Sequence, residues 1–374
     1  MRAVHIADLH AGKTLGKVGR NPDLEYALAQ VLDCVKENKV ELVLIAGDVF
    51  DKANPDNESK ELIFEFFLRL RDLRCGVVVI SGNHDSYDFM KSIRGLSKLA
   101  GVHIYDRPSK NHFVYTHKDV KVACLPYPSE RVLTSAGEDS KKTYAQLVSR
   151  FIGFLAREVK DARFKVLLAH LFIAGSRYTN TEREATITQH YAVNPSDLTE
   201  VFDYIALGHV HRYQRIERAP TTAYYTGSMY QLDFSEAKQD KFFNMIIFEK
   251  PVPKIEKIRL SLKNPLRIVH LRQDEIRAEL DSLKKLEGYL KAVVHINNRI
   301  NAPSDMELLR NALGDKLIKV ELLTPGTREH ISPQVKSMDP LELYREYYKL
   351  SYEKEMPQGV EEIFLKLLKE ARKD

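Results

Sequence analysis

Five apolar runs of this sequence end directly in side chains that can bind a metal ion. In chain order, these strand exits carry Asp8 and His10, Asp48, Asn83, His170, and His209 with His211. Because ligands of open α/β sheets sit at the carboxyl ends of the strands, the pattern predicts one sheet edge that gathers all of them. A single exit of this kind is also an ordinary polar turn or a surface histidine, so the prediction depends on the whole set.

The run LVLIAGDVFD at residues 42–51 shows the pattern most clearly. An apolar strand stops at a glycine, and Asp48 follows just past its carboxyl end. Asp8 and His10 lie two residues apart after the first strand, so an extended backbone would point both side chains to one face. We therefore expect these three side chains to reach the same edge.

Segments with helical spacing alternate with the strands, and a run of strands follows. This order predicts a two-sheet α/β sandwich. Residues 175–189 are polar and lack either period, and we interpret them as a mobile loop over the strand edge. Helices are expected around residues 24–35, 59–71 and 143–159, and strands of a second sheet at 223–226, 243–248 and 255–260.

Prolines near position 260 separate this first unit, residues 1–262, from a smaller one. Alternating strand and helix patterns in residues 264–326 predict a small βαβαβ domain. Residues 337–374 contain a helix-start signal at Asp339 and Pro340, followed by two apolar helical stripes. We interpret this last segment as a helical hairpin.

The composition is that of a globular protein in a reducing compartment. Hydrophobic residues make up 44% and charged residues 29% of the chain, which excludes a disordered protein. Cys34, Cys75 and Cys124 lack metal-finger spacing and are expected to be buried thiols. No signal-peptide core or membrane span is visible, so we expect a cytoplasmic protein without a membrane partner. The net charge of +5 permits a polyanionic partner without requiring one.

The ligand set combines carboxylate and amide oxygens with imidazole nitrogens and contains no thiolate. Such a set suits Mn²⁺, Fe²⁺ or Zn²⁺ in an open catalytic site better than a closed structural zinc site. Seven ligands are too many for one ion and fit two ions that share a carboxylate. Two ions about 3.5–4 Å apart stabilise the attacking and the leaving oxygen of a displacement at phosphorus, so the set predicts phosphoester hydrolysis.

We predict a different role for His84 than for the other histidines. Asn83 beside it is the better metal ligand, and adjacent side chains tend to point apart. His84 is therefore a candidate general acid for the leaving alkoxide or a contact to the phosphate, with Asp85 orienting its ring. The alternative is a histidine that only supports the ligands.

The five blocks, in this order, resemble the calcineurin-like metallophosphoesterase family. They read Asp8-Leu9-His10, Gly47-Asp48, Gly82-Asn83-His84-Asp85, His170 and Gly208-His209-Val210-His211. Within that family, ADLHAGKTLG, IAGDVFD, ISGNHDS, YIALGHVHR and YTGSMYQLDFSE resemble the SbcD-type nuclease subunits of DNA repair complexes. The resemblance is close over the first 260 residues, and beyond them it rests on the arrangement of domains.

The resemblance implies two bound Mn²⁺ ions, with Mg²⁺, Fe²⁺ and Zn²⁺ as the alternative metals. One ion would be held by Asp8, His10, Asp48 and His211, and the other by Asp48, Asn83, His170 and His209, with Asp48 as the bridge. His84 matches the family's catalytic histidine. Asp51 stands where archaeal and eukaryotic relatives usually carry another histidine, so a role for that histidine does not transfer.

The resemblance also implies a nucleoid-associated nuclease of double-strand break repair, an exonuclease on double-stranded ends and an endonuclease on single strands or hairpins. The implied partners are DNA, a coiled-coil ABC-type ATPase of the SbcC kind, and a second copy of the chain. Residues 264–326 would cap the DNA and residues 337–374 would dock on the ATPase. Basic and aromatic candidates for DNA contact beside the motifs are Lys13, Lys17, Lys52, Arg177, Arg212, Tyr178 and Tyr213.

Two other functions compete with this interpretation. A phosphatase or cyclic-nucleotide phosphodiesterase of the same family would use the same ligands. The Asp-Arg-Gly tripeptide typical of protein phosphatases is absent, however, and a compact phosphodiesterase would not need the added domain and hairpin. The other alternative is a catalytically silent adaptor for the ATPase, which has no physical reason to keep all seven ligands.

Overall fold

The computed structural model describes residues 1–135, 142–179, 181–182, 187–249, 252–298 and 300–324, and, further on, residues 341, 344–345, 348, 354 and 356–371. The strands are β1 (Arg2–Ile6), β2 (Thr14–Leu15), β3 (Val18–Gly19), β4 (Leu42–Ile45), β5 (Gly76–Ile80), β6 (Val102–Tyr105), β7 (Val114–His117), β8 (Val120–Leu125), β9 (Phe164–His170), β10 (Tyr204–Gly208), β11 (Gln214–Arg215), β12 (Ala223–Tyr225), β13 (Lys241–Ile247), β14 (Lys254–Leu260), β15 (Leu266–Arg272), β16 (Tyr289–His295) and β17 (Leu317–Leu323). The α-helices are α1 (Asn21–Asn38), α2 (Asn57–Asp72), α3 (Tyr87–Leu99), α4 (Glu130–Ser135), α5 (Tyr144–Val159), α6 (Ile276–Lys285), α7 (Ala302–Leu313) and α8 (Gln358–Ala371). Short 3₁₀ turns lie at Gln189–Tyr191, Pro195–Asp197, Phe234–Glu236, Gln273–Glu275 and Gly314–Lys316.

Two six-stranded sheets pack face to face, which confirms the predicted α/β sandwich. One has the order β14-β13-β1-β4-β5-β6 and the other β11-β12-β10-β9-β8-β7. Strand β4 shows why its sequence is apolar throughout. Leu42 and Leu44 pack between the sheets, whereas Val43 and Ile45 pack on the helical side, so the strand is buried on both faces.

Helices cover the outer faces of both sheets, as the sequence periods predict. Leu24, Leu28 and Val31 of α1 belong to the same buried cluster as residues of α2 and of the first sheet. Helix α5 packs on the second sheet and begins with a capping box, in which Thr143 and Gln146 each satisfy the backbone amide of the other. These two helical layers hold the strands whose ends carry the ligand candidates.

The second sheet was predicted with two strands that in fact belong to the first. Strand β12 lies in the second sheet beside β10, as expected. Strand β13, however, pairs antiparallel with β1, and β14 pairs with β13. The prediction was therefore wrong for residues 243–248 and 255–260. Alternation along a strand shows which side is buried, but it does not identify the neighbouring strand.

A third, three-stranded parallel sheet forms the predicted βαβαβ module. Its order is β15-β16-β17, and helices α6 and α7 share a buried cluster with it. The module lies in the same compact unit as the sandwich, because contacts join residues Met1–Leu323 into one unit. Leu266 packs with Leu15 and Phe234 of the sandwich at this junction. The sheets before and after residue 262 have separate buried clusters within this unit, and the domain boundary there stays a prediction.

Residues Thr324–Asp374 form a second compact unit. Helix α8 contacts the short described segment before it, where the rings of Tyr344 and Phe364 stack with centroids 4.4 Å apart and Arg345 pairs with Glu361. The predicted helix start at Asp339 and Pro340 lies outside the described residues.

The three cysteines are free and buried, as predicted. Among the described residues, no helix has both the length and the apolarity that crossing a membrane requires.

Candidate metal centre

Neighbouring parallel strands of the two sheets bring the predicted ligands together. Strands β1, β4 and β5 lie side by side in the first sheet, and β9 and β10 lie side by side in the second. The residues that end or follow these strands meet at the carboxyl edge of the sandwich. They are Asp8, His10, Asp48, Asn83, His170, His209 and His211. Four of them, Asp8, His10, Asp48 and His211, are buried and offer ligand atoms that all lie within 4.8 Å of one another.

The backbone at four of the seven ligand candidates is left-handed rather than extended. The φ angles are 51° at Asp8, 47° at His10, 48° at Asp48 and 102° at His209. The expectation that Asp8 and His10 share a face of an extended strand was therefore wrong, although the two side chains do meet. A residue other than glycine that adopts this backbone conformation loses about 1–3 kcal/mol of stability, and such strain concentrates at functional sites. The rest of the fold stabilises a conformation that aims the ligands inward.

Glycines before two of the ligand blocks allow close approach, Gly208 between the two sheets and Gly82 between the loops after β4 and β5. A Cβ atom on Gly208 would lie 1.9 Å from the Ala46 carbonyl oxygen, and one on Gly82 would lie 2.1 Å from Asp48 Oδ1. Both contacts are far below any real carbon contact, so each position requires glycine. Gly82 and Gly208 are thus part of the site geometry.

One group of ligands surrounds Asp8 and His10. Nε2 of His10 lies 3.1 Å from Nε2 of His211 and 3.8 Å from Asp48 Oδ2. Asp8 is fully buried, and its Oδ2 atom has no hydrogen-bond partner among the described residues. A buried carboxylate oxygen without a donor is costly unless a cation neutralises it. The donor set therefore fits a divalent cation at this position.

A second group of ligands surrounds Asn83. Its Oδ1 atom lies 2.9 Å from His170 Nε2 and 2.8 Å from His209 Nδ1. His170 Nε2 also lies 3.4 Å from Asp48 Oδ2. The same oxygen of Asp48 therefore faces both groups, which is the arrangement that a bridging carboxylate needs.

The charges of the cluster compensate one another. Burial would raise the pKa of Asp48, but His170 and the other nearby imidazoles outweigh it and hold that pKa well below its usual range. Burial lowers the pKa of His170, yet Asp48 and Asp8 raise it to about 9. Burial, followed by His10, holds the pKa of His211 well below its usual value. A cation bound here would replace protons that the imidazoles otherwise carry, since metal ligands must be deprotonated.

His84 lies beside the cluster, but a different residue orients it. Its Nδ1 atom lies 2.8 Å from the Asp51 carbonyl oxygen, and its backbone amide donates to Asp48 Oδ1 at 2.8 Å. The expectation that Asp85 orients the His84 ring was wrong. The buried Asp85 carboxylate instead accepts backbone amides of Gly82, at 2.8 Å, and Phe50, at 3.0 Å. It ties together the loops that follow β4 and β5.

Asp51 has a role in the site that the sequence did not suggest. Its Oδ1 atom lies 3.3 Å from Nδ1 of His10 and 3.2 Å from Nζ of Lys13. Although burial alone would raise it, the pKa of Asp51 falls to about 2 because of His10 and Lys13. A carboxylate behind a metal-binding histidine fixes the ring and raises its basicity. The sequence signal that could have indicated this role is the position of Asp51, three residues after the ligand candidate Asp48.

The polar segment at residues 175–189 is partly built into the site. Thr179 and Glu182 are buried, and Glu182 Oε1 accepts the backbone amide of His211 at 3.0 Å. The Thr181 hydroxyl lies 2.6 Å from His211 Nδ1. The prediction of a mobile loop is therefore wrong for these residues, while residues 180 and 183–186 lie outside the described part. Sequence analysis missed Thr181 and Glu182 because their partners are distant in sequence.

The DNA-contact candidates occupy different environments. Tyr178 is 51% exposed and lies edge-on to Phe172. Tyr213, in contrast, donates its hydroxyl to Asn244 and has its ring under the Lys257 ammonium, so it is partly occupied by protein contacts. Lys13 is partly buried beside Asp51. The exposed basic candidates are Lys17, Lys52, Arg177 and Arg212.

Comparisons with known proteins point to one family. A model of the calcineurin-like phosphoesterase family matches residues 1–213. The SbcD subunit of nuclease SbcCD from Bacillus subtilis is 30% identical over 260 residues, and the match spans 66% of this chain and 66%, slightly under two thirds, of that protein.

Likeness to solved structures is weaker. A dimetal phosphatase from Danio rerio is 13% identical and covers 70% of this chain and 99% of that one, with a TM-score of 0.42. A β-glucosidase from Thermotoga maritima is 11% identical, with coverages of 86% and 87% and a TM-score of 0.23. TM-scores this low do not establish a shared fold.

Proposed function

The chain belongs to the calcineurin-like phosphoesterase family, and from this premise we propose that it is a Mn²⁺-dependent nuclease that hydrolyses phosphodiester bonds of DNA in double-strand break repair. One observation carries the proposal: buried carboxylate and imidazole ligands from the ends of β1, β9 and β10 converge on the Asp48 carboxylate at the end of β4. The similarity to the SbcD subunit of nuclease SbcCD supports a nucleic acid as the substrate.

Seven residues would hold two ions at the edge of the sandwich. Asp8, His10 and His211 would bind the first, Asn83, His170 and His209 the second, and Asp48 both. The mixture of carboxylate, amide and imidazole ligands suits Mn²⁺, with Mg²⁺, Fe²⁺ and Zn²⁺ as the other candidates. When bound, such ions supply positive charge that stabilises the attacking and the leaving oxygen of a displacement at phosphorus.

His84 would provide the proton for the leaving alkoxide. Its Nδ1 atom faces the Asp51 carbonyl at 2.8 Å, and because a carbonyl only accepts, Nδ1 carries a proton. Proton exchange with the substrate would therefore take place at Nε2. The Asp48 carboxylate fixes the backbone of His84, so the general acid and the bridging ligand keep a constant separation.

Two further parts of the chain would serve the DNA and the partner. Residues 264–326 carry basic side chains on the sheet face opposite α6 and α7, among them Lys319 and Arg272, which pairs with Asp274, and would cap the duplex. Residues 337–374 would dock on a coiled-coil ATPase of the SbcC kind, and Ile363, which is 62% exposed on α8, offers an apolar contact for it. A homodimer completes the proposed assembly.

A substrate panel tests the proposed function. The wild-type chain with Mn²⁺ is incubated with a blunt duplex, a DNA hairpin, a single strand, a cyclic nucleotide and a phosphomonoester. We expect cleavage of the DNA substrates, a loss of ~10²–10⁴-fold in rate for His84→Gln, and complete loss for Asp48→Ala. Hydrolysis of the phosphomonoester or cyclic nucleotide without DNA cleavage would identify a phosphatase or small-molecule phosphodiesterase instead. No hydrolysis of any substrate, with metal bound, would indicate the silent adaptor.

A further inference from the structure

A line of buried polar groups lies behind His211. Its Nδ1 atom is 2.6 Å from the Thr181 hydroxyl, and this hydroxyl is 2.6 Å from Oε1 of Glu236. Glu236 is fully buried in a 3₁₀ turn, and its other oxygen, Oε2, accepts a hydrogen bond from Lys241 at 2.6 Å. A carboxylate, a hydroxyl and an imidazole thus form one chain that ends at a metal-ligand candidate.

The protons of this chain can be assigned from its distances. A carboxylate oxygen only accepts, so the single hydroxyl proton of Thr181 points to Glu236. Any other placement would leave two acceptor oxygens 2.6 Å apart. Thr181 Oγ1 must then accept from His211, so the ring proton sits on Nδ1. The Thr179 hydroxyl lies 2.5 Å from the same oxygen and 2.9 Å from Glu182 Oε2. Its single proton belongs in the shorter contact, because otherwise two oxygens 2.5 Å apart would have no proton between them. Thr181 can accept it without changing this result, since a hydroxyl oxygen has two lone pairs.

The far side of Glu236 keeps the chain in this direction. Oε2 accepts from the Lys241 ammonium at 2.6 Å and from the backbone amide of Leu232 at 3.1 Å. Lys241 is 2% exposed and also donates to Ser228 Oγ, at 2.7 Å, and to the carbonyl of His211, at 3.2 Å. Among the described residues, the groups that contact Oε2 on this side are an ammonium and a backbone amide, which donate hydrogen bonds and cannot accept them. The exception is the more distant Ser228 hydroxyl at 3.4 Å. The acceptor end of the chain is therefore fixed.

We propose that Glu236, acting through Thr181, is a positioning residue that holds His211 in the tautomer with its proton on Nδ1 and its lone pair on Nε2. That lone pair faces the ligand group, since Nε2 lies 3.1 Å from Nε2 of His10. A histidine ligand is commonly oriented by a partner at its other nitrogen. The use of the lone pair rests on the proposed function, but the tautomer is a property of the metal-free chain.

The test measures the tautomer directly in metal-free, ¹⁵N-histidine-labelled full-length chain. Two-bond ¹⁵N–¹H couplings distinguish a proton on Nδ1 from one on Nε2, and His211→Gln assigns the signal. We expect the Nδ1–H form in the wild type. In Glu236→Gln, the donors at Oε2 hold the amide oxygen there, so the amide NH₂ faces Thr181. Thr181 then donates to His211, and we expect the Nε2–H form and Mn²⁺ affinity roughly 10- to 100-fold weaker.

Variants of the hydroxyl provide the controls. Thr181→Val removes the acceptor, so the preference for Nδ1–H should be lost, and Thr181→Ser should retain it. Thr226→Val is the matched control, because Thr226 is fully buried and its hydroxyl has no hydrogen-bond partner among the described residues. This variant should leave the His211 tautomer and the metal affinity unchanged.

The proposal is overturned if wild-type His211 carries its proton on Nε2, a result that requires no variant to fold. It is equally overturned if folded Glu236→Gln and Thr181→Val keep the Nδ1–H form, or if Thr226→Val shifts the tautomer as much as they do. Failure of DNA cleavage would leave these tautomer results intact. Conversely, DNA cleavage with an unchanged tautomer in Glu236→Gln would remove the positioning role and keep the nuclease.

Discussion

The Asp51 carboxylate lies 3.3 Å from Nδ1 of His10, while Nε2 of the same ring lies 3.1 Å from His211. The first group of ligands thus has two histidines whose outer nitrogens each face an acceptor, a carboxylate in one case and a hydroxyl in the other. Both rings are buried. The metal centre is therefore preorganised by residues that are not themselves expected to bind the ions.

Removing the Asp51 carboxylate should weaken metal binding. Asp51→Ala takes away the carboxylate that lies 3.3 Å from His10 Nδ1, so we expect Mn²⁺ affinity, measured by titration calorimetry, to fall roughly 10- to 100-fold. Asp240→Ala is the control, because Asp240 pairs with Arg259 on the surface, where both side chains are more than half exposed. Equal affinities for Asp51→Ala and wild type would show that Asp51 does not support the ligand.

The number of bound ions should depend on which ligand is lost. Asp48 Oδ2 lies 3.8 Å from His10 Nε2 and 3.4 Å from His170 Nε2, so Asp48→Ala should abolish binding of both ions. Asn83→Ala should remove only one, because Asn83 Oδ1 lies beside His170 and His209 in the second group of ligands. The measurement is Mn²⁺ per chain by mass spectrometry after dialysis. Retention of one ion by Asp48→Ala would contradict the bridging role.

Burial should decide how much two ion pairs with the same nitrogen–oxygen separation contribute to stability. Lys241–Glu236 and Lys254–Glu256 both have a separation of 2.6 Å, but the side chains are 2% and 0% exposed in the first pair and 71% and 35% in the second. Lys241→Met leaves a buried charge unpaired and should cost about 3–5 kcal/mol. Lys254→Met should cost about 0–1 kcal/mol. Urea unfolding compares the two, and similar midpoints would refute the prediction.

Two glycines should respond to alanine in opposite directions. Gly208→Ala would place a Cβ atom 1.9 Å from the Ala46 carbonyl oxygen, so we expect destabilisation of about 1–3 kcal/mol or more, together with loss of Mn²⁺ binding. Gly153 lies inside α5, where a Cβ atom would lie 3.9 Å from Arg157 Nη1, an ordinary contact distance. Gly153→Ala should stabilise the protein by about 0.5–1 kcal/mol. Thermal unfolding checks both signs, and a tolerated Gly208→Ala would disprove the close approach.

Loss of the C-terminal segment should affect binding to the partner but not the cleavage reaction. Deleting residues 338–374 should abolish binding to the SbcC-type ATPase and leave metal-dependent cleavage of single strands. A milder variant, Ile363→Asp, should weaken ATPase binding, whereas Val252→Asp, at a residue that is 73% exposed in the other unit, should not. Size-exclusion chromatography with the ATPase measures both, and a stable complex with the deletion variant would rule out this docking segment.

The sandwich, the βαβαβ module and the meeting of the ligand blocks can all be predicted from the amino-acid sequence. Each of these follows from local information. The apolar run before Asp48 marks a strand buried on both faces, and the polar residue after it must lie at the strand end. Parallel strands share one direction, so their exits reach a common edge whichever order they take.

The contacts that shape this edge of the sandwich become visible only in the folded chain. The left-handed backbone at Asp8 and His10, the antiparallel partner of β1, and the contacts of Asp51 and Glu236 with the histidines depend on residues far apart in the chain. The block YTGSMYQLDFSE contains Glu236 and resembles a family motif, but nothing in its spacing names Thr181 as its partner. A hydrogen bond between distant segments leaves no period in either, because its geometry is set by the packing of the whole sandwich.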